Sequence, residues 1–600
     1  MCYVCCSTER ANDRGLAHAS QPASQPASKP DSQSANQMSI CCNGFDAHST
    51  QAASNPTAAN ISDLMDKLSA SELGRLRLNV AAVSAVCNGK ISIGSLLSGT
   101  DCQFFMWQCL MSLIERRFGI FIEIDMKFSC DNVEYVQKFI QMHLGQQHTV
   151  YPDVHKLASD PDTCEDIKGS VKPLPDVTVL IFAIECDSVS SLSSGWSSRL
   201  QCIEEGDTSS RTGGSAISCL RIIERMLPPM IICECVKNLM AQIDSVLTPL
   251  WEMGYLATAH VVNSNAYGCP QSRERVYIVG VYIGKEEAIR QEDPDEYAFP
   301  VLDEYAELLS LLELPCPRGL KEYLLPESSA AVIAANQANE RVAPEPPKKT
   351  KTGRPKKKAA KTAKAAPSAP TEEREEDEPD KCQKFELDHM HAYQNNKLPW
   401  PPTYTVIFEK KAKPVGHSAR MTQLLFLDEK VTGPTESLDA LYTRDLNMSG
   451  GWGKEKKGSL SCVVSSSWVW VRGLLEEGDG DKPPLFIDRL MTGNELLAVQ
   501  GMSHEWLHPH IVDELSLKEL ITMAGNMFNV ETLAAVALSA LFALPVAEAV
   551  SLYNADGCSD SQSQDAEDDA IVVEDSQPKD GESGGGILQR RSTRMNEMNE

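Results

Sequence analysis

Residues 91–126 read ISIGSLLSGTDCQFFMWQCLMSLIERRFGIFIEIDM. ISIGSLLSG is an apolar run that ends in a glycine turn at Gly99. CQFFMWQCLMSLIERR carries apolar side chains at helical spacing, and FGIFIEIDM returns to a strand pattern. Strand, glycine turn, helix and strand in succession form the unit of a parallel sheet wound with helices. The alternation continues to about Gly284. VTVLIFAIE (177–185), PMIICECV (229–236) and RVYIVGVYIG (275–284) read as strands. NVEYVQKFIQMHL (132–144), AISCLRIIERML (216–227) and KNLMAQIDSVLTPLWEMG (237–254) read as helices. The expected fold class is α/β, a doubly wound, Rossmann-like domain on a parallel sheet.

Composition changes sharply on either side. Residues 1–60, with repeats such as QPASQPASKP, cannot bury enough apolar surface to offset their ordering entropy, and are expected to be a disordered tail. The α/β pattern occupies 61–285, and a helical insert with AELLSLLEL follows at 286–340. Residues 341–381 form a charged linker, with nine Lys/Arg over 348–364 and seven acids over 372–380. Residues 382–484 are β-rich (TYTVIFEKK, TQLLFLDEK, SCVVSSSWVWVRG) and are expected to be a smaller second domain. Residues 485–548 form a return segment in which helical pattern resumes over 494–545. The last stretch, 549–600, is expected to be disordered, with ten acids between Asp556 and Glu582.

The 600 residues hold 56 Lys+Arg against 83 Asp+Glu, a net charge of −27. Spread evenly, that charge would oppose binding to a polyanion. It is not spread evenly, so the objection weakens. Apolar residues at 42% exclude wholesale disorder. The 20 cysteines have no regular spacing, which argues for a reducing compartment rather than a disulfide framework. MCYVCCSTER is not a secretory signal. Cys2, Cys5 and Cys6 are open to lipidation, or to metal binding with Cys41 and Cys42, against a plain flexible terminus; no metal site is expected. The apolar run Thr532–Leu544 is too short to cross a bilayer and reads as a buried helix, so no membrane partner is expected.

The most specific stretch is Tyr267–Gly280, YGCPQSRERVYIVG, in which Gln271, Arg273 and Arg275 form Gln-x-Arg-x-Arg ahead of a strand. This stretch resembles the cytosine-5 DNA methyltransferase family. The rest of the family's motifs follow in order. IGSLLSGTD resembles the first motif, which implies that Ser98 and Gly99 lie against S-adenosylmethionine. Asp131 in FSCDN stands where the family has an acid for the ribose hydroxyls, with Glu123 and Asp125 as rivals. Asp153 in VYPDVHKL stands where an acid faces the adenine amino group. Cys186 occupies the nucleophile position, followed by a Ser/Gly-rich loop through Gly195. Glu234 in PMIICECV occupies the position of the acid that holds cytosine N3 and N4. DRLMTGNELLAVQGM (Arg489, Glu495, Gln500, Gly501) and MAGNMFNVETLAAVALSALF (Gly525, Asn526) resemble the closing motifs, the latter returning to complete the cofactor pocket.

Two departures bear on the chemistry. Glu185 and Asp187 flank Cys186 where the family has Pro and Gln, and neighbouring carboxylates raise a thiol pKa unless Arg273 or Arg275 compensates. Cys235 follows Glu234 where the family has Asn. The resemblance implies a nuclear DNA cytosine-5 methyltransferase that flips its base, with Cys186, Glu234, Arg273 and Arg275 as the catalytic set. It leaves 382–484 as the target-recognition domain. A tRNA methyltransferase and a catalytically silent nucleic-acid-binding regulator stay open as alternatives. Lys351–Lys358, KTGRPKKK, resembles an AT-hook, with Gly353, Arg354 and Lys356 as minor-groove contacts beside Gln271, although Thr352 stands where a hook has Arg. The same lysines suit a nuclear localisation signal or a solvated linker.

Overall fold

A computed structural model describes residues 55–186, 189–190, 202–203, 206, 208–285, 298–315, 317–340, 440–447, 456–479, 483–508 and 510–555. The two expected tails up to residue 54 and from 556, the N-terminal cysteines, the loop through Gly195 and the AT-hook residues Gly353, Arg354 and Lys356 lie outside them. So do TYTVIFEKK and TQLLFLDEK.

The main sheet has seven strands: β1 Lys90–Leu96, β2 Glu123–Cys130, β3 Thr149–Tyr151, β4 Val179–Ala183, β5 Met230–Val236, β6 Tyr255–Asn263 and β7 Glu274–Tyr282, in the order β3-β2-β1-β4-β5-β7-β6. The first five are parallel. Strand β7 inserts antiparallel between β5 and β6, so the sheet is mixed rather than purely parallel. The short link from β6 to β7 allows this, because a hairpin needs no crossover helix.

Central strands are apolar on both faces because helices cover both. In β4, Val179 and Ile181 join the core with helices Cys102–Phe118 and Val530–Ala543, while Leu180 and Phe182 join the core with helices Arg211–Met226 and Asp244–Met253. Every residue of Val530–Ala543 is buried. It packs against Pro56–Asp66, Ala70–Val86, Cys102–Phe118 and Ala298–Leu311. By length and composition, Leu517–Ala543 also passes for a bilayer span, with mean hydropathy 1.4, yet 94% of that apolar window is buried inside the protein. An all-round apolar helix here is the centre of a core.

A second, antiparallel sheet is built from β8 Leu441–Asp445, β9 Lys456–Lys457, β10 Val469–Glu476 and β11 Leu485–Leu490, in the order β11-β10-β8-β9. Its Leu441, Val469, Val471 and Ile487 join the main core. Several expected limits shift. Among the described residues the first helix begins at Pro56, ahead of the expected Ile61, and helix Val546–Ala555 runs past residue 548. The second strand covers 123–130 rather than 118–126, and residues 485–490 pair within the small sheet.

Candidate active site

Strands β1, β2, β4 and β5 end at a cavity of about 480 Å³, within the roughly 300–1,000 Å³ range of small-molecule sites. It lies where the strand order reverses, between β1 and β4, the usual ligand position in doubly wound sheets. The turn after β1 forms one wall. Gly99 is left-handed (φ +71°), and a side chain there would approach the Asn526 carbonyl oxygen at 3.6 Å. Leu97 and Asp101 hold φ of +55° and +52°, conformations that non-glycine residues adopt only under constraint. Thus the resemblance-derived Gly99, Gly525 and Asn526 meet at one place although the sequence separates them widely.

Cys186 and Glu234 line the same cavity. Register pairs Ala183 with Glu234, so Cys186 stands just past the end of β4 while Glu234 points from β5. Cys186 is half-buried, and its carbonyl accepts hydrogen bonds from the Val189 and Ser190 amides, a tight turn that closes the strand end. Glu234 is only 7% exposed. Its Oε1 lies 3.1 Å from Arg275 Nε and 3.6 Å from Arg273 Nη2, yet no donor is aimed at it in hydrogen-bond geometry. Burial opposes the charge of Arg275, but Cys462, Glu234 and Cys186 outweigh it and raise its pKa. Arg275 thus pairs with Glu234 directly and acts on Cys186 through its charge alone. Cys235 is different: burial, then Cys186 and Glu234, push its thiol far up, and its Sγ donates to the Ile184 carbonyl at 3.4 Å. It is an inert neighbour.

Arg273 does not face solvent or phosphate. Its Nη1 donates to the Val463 and Gly525 carbonyls, each at 3.0 Å, and its Nη2 to Met527 O at 2.9 Å. It clamps the small sheet and the 525–527 turn onto the site. Gln271 corrects the expectation of a nucleic-acid contact. It is 0% exposed, and its Oε1 accepts from the Val463 amide at 3.0 Å and Gln500 Nε2 at 3.3 Å. Arg489 and Glu495 form a bidentate pair (2.8 and 2.9 Å) within the core, and a side chain at Gly501 would strike Glu531, so these positions are structural.

Among the acids, Asp131 lines the cavity at 8% exposure. Burial raises its pKa to about 7, with Asp101 and Glu185 adding to the rise and the Val133 amide opposing it. Asp153 caps helix Val154–Ser159, accepting from the amides of His155 and Lys156, and is not in the cavity wall. Glu123 and Asp125 pair with Lys90 at the opposite end of β2, which removes them as rivals. Ser98, expected against the cofactor, is not in the wall: its Oγ donates to Asp101 Oδ1 at 2.7 Å, within a buried network that includes Ser95, Gln103, Ser129 and His148. Sequence reasoning missed this network and missed His155 and Arg211, both in the wall. The SGTD turn itself was the signal for Asp101. No short-range pattern marks His155 or Arg211.

Comparison with known proteins agrees with this layout. The family model described as C-5 cytosine-specific DNA methylase matches residues 149–414. A DNA (cytosine-5-)-methyltransferase, DMT5, of Cryptococcus neoformans is 22% identical over 41% of this chain and 10% of its own. The type II methyltransferase M.NgoFVII of Neisseria gonorrhoeae is 27% identical over 22% of this chain and 33% of its own. The matches thus span a third or less of those relatives' length. The structure of the S. pombe Dnmt2 methyltransferase aligns over 75% of this chain and 98% of that one, at 11% identity and a TM-score of 0.36, too low to bear on the assignment. With strand order, cavity and motif positions in place, the match has its structural counterpart: over residues 149–414 the chain is similar to the C-5 cytosine-specific DNA methylase family.

Proposed function

We propose that this protein transfers a methyl group from S-adenosylmethionine to carbon 5 of a cytosine flipped out of double-stranded DNA. The observation that carries this reading is the meeting of Cys186, Glu234 and Gly99 in one cavity. The residues fit the cofactor. Gly99 leaves room for close backbone approach, and Asp131 offers a carboxyl for ribose hydroxyls. When bound, S-adenosylmethionine supplies the electrophilic methyl group.

The chain's own residues do the rest. Cys186 as thiolate adds to carbon 6, which is reachable only outside the base stack. Arg275 favours that thiolate against the carboxylates beside it. Glu234 holds the base edge through its carboxyl group, giving a proton to N3 and accepting a hydrogen bond from N4, which draws electron density from carbon 6. Arg273 positions the wall rather than the substrate. Once carbon 5 is methylated, loss of its proton expels the Cys186 sulfur and restores the ring.

Nuclear localisation through the Lys-rich run 348–364 belongs to the same reading, as does minor-groove contact by Gly353, Arg354 and Lys356. Glu185, Asp187 and Cys235 favour one second reading, a silent binder that keeps the cofactor pocket without chemistry. The test is transfer of labelled methyl from S-adenosylmethionine to duplex DNA of mixed cytosine context and to tRNA. Label on DNA that disappears in Cys186→Ser supports the proposal. Label on tRNA alone makes RNA the substrate. Cofactor binding with no label on either supports the silent binder.

A further inference from the structure

We propose that His155 reads the adenine base of S-adenosylmethionine, donating a hydrogen bond from Nε2 to a ring nitrogen beside the amino group. The inference rests on the cofactor reading above. It moves adenine recognition away from Asp153, where the family resemblance puts an acid for the amino group, to a donor two residues further on.

Position comes first. Gly99 follows β1, Asp131 follows β2, and both line the cavity. A cofactor with its methionine at Gly99 and its ribose at Asp131 carries its adenine onward toward β3, the next strand in the sheet. Of residues 152–160, which follow β3, only His155 lines the cavity. Asp153 Oδ1 is taken up by the His155 and Lys156 amides, at 2.9 and 3.3 Å. It sets the backbone of His155 rather than meeting the base.

The ring is held against helix Arg211–Met226. Its Nδ1 lies 2.8 Å from Ser218 Oγ, and a Cβ at Gly214 would come within 3.2 Å of its Cε1. Gly214 is helical, so its missing side chain serves space for the imidazole rather than backbone freedom. Ser218 is 5% exposed, and its hydroxyl has no other partner among the described residues. A buried hydroxyl donates where it can. Here it donates to Nδ1, which leaves the ring proton on Nε2. His155 itself is exposed, so this N–H is open to a ligand. An N–H donor cannot take the adenine amino group, as a carboxylate would. It suits the acceptors on either side, N1 and N7.

The test is calorimetric titration of the full chain with S-adenosylmethionine, with S-adenosylhomocysteine, which shares its adenosine, and with the 1-deaza, 7-deaza and 3-deaza analogues of the latter. Wild type should lose about 5–10-fold in affinity for the 1-deaza or the 7-deaza analogue, and stay within about twofold for the 3-deaza analogue. His155→Ala should lose the same factor on S-adenosylhomocysteine and no longer discriminate among the analogues. His155→Gln, which keeps a donor, should retain part of the discrimination. A wild type that binds all three analogues as well as S-adenosylhomocysteine, or a His155→Ala that still discriminates, would overturn the inference. If His155→Ala fails to fold, His155→Phe, which keeps a ring and removes the donor, takes its place. Wild type that binds neither S-adenosylmethionine nor S-adenosylhomocysteine rejects the cofactor reading itself, a separate outcome.

Discussion

Glu234 pairs through Oε1 with the guanidiniums of Arg273 and Arg275, and the charge of Arg275 also acts on Cys186. If Glu234 holds the base, Glu234→Gln should lower methyl transfer about 10²–10⁴-fold while cofactor affinity, measured by calorimetry, stays near wild type. Asp131 supplies a pH signature. Its carboxyl titrates near 7 because burial disfavours the charge. A ribose held by the carboxylate form should bind progressively less well as pH falls below about 7, and Asp131→Asn should flatten that dependence. A wild-type affinity that does not change between pH 8 and pH 6 would contradict the role. Cys186, Glu234 and Arg275 were legible through the family resemblance, whose motifs stand at or beside strand ends that periodicity locates. Gln271 and Arg273 were not. Their partners Val463, Gly525 and Met527 lie about two hundred residues away in sequence, and no local pattern says whether a polar side chain turns to the cavity or to a distant backbone.

Two elements from the end of the chain complete the site, and each makes a prediction. Gly525 has no room for a side chain, since a Cβ would lie 2.1 Å from the Ser465 nitrogen. Gly525→Ala should cost roughly 1–3 kcal/mol and displace the 525–527 turn from Gly99, so cofactor affinity should fall together with the melting temperature. Helix Val530–Ala543 carries Glu531 wholly inside, with Thr57 Oγ1 and Asn60 Nδ2 donating to its Oε1 at 3.1 and 3.4 Å. Burial raises its pKa from 4.5 to about 7. Its folded pKa exceeds its unfolded one, so its contribution is fully present below about pH 4.5 and is lost as pH rises toward 7. Stability relative to Glu531→Gln should decline across that window and level off above it. A difference in melting temperature that is flat from pH 4.5 to 7.5 would remove Glu531 as the cause. The helix itself was legible as buried from its all-round apolar run. Strands β3 and β6 were not, the first being too short for a periodicity of two. The reversed direction of β7 was hidden as well, because side-chain alternation is the same whichever way a strand runs.

At the scale of the whole molecule, the net charge of −27 is a sum of segments rather than a uniform surface. Ten acids lie between Asp556 and Glu582, beyond helix Val546–Ala555, whose Val550 and Tyr553 are buried and should be kept in any truncation. Removing residues 556–600 should tighten DNA binding at low salt by relieving competition for basic groups, and the gain should shrink as salt rises. An affinity unchanged at low salt would count against that competition. The central claim is narrower. In the proposed reaction, Cys186 attacks a flipped cytosine in the pocket that would also hold the methyl donor. Trapping on duplex DNA containing 5-fluorocytosine, with S-adenosylmethionine present, tests it most directly, because fluorine at carbon 5 blocks release of the sulfur. Wild type should form a denaturation-resistant protein–DNA adduct that Cys186→Ser does not form. A wild type that binds S-adenosylmethionine yet forms no adduct in any sequence context would contradict the account.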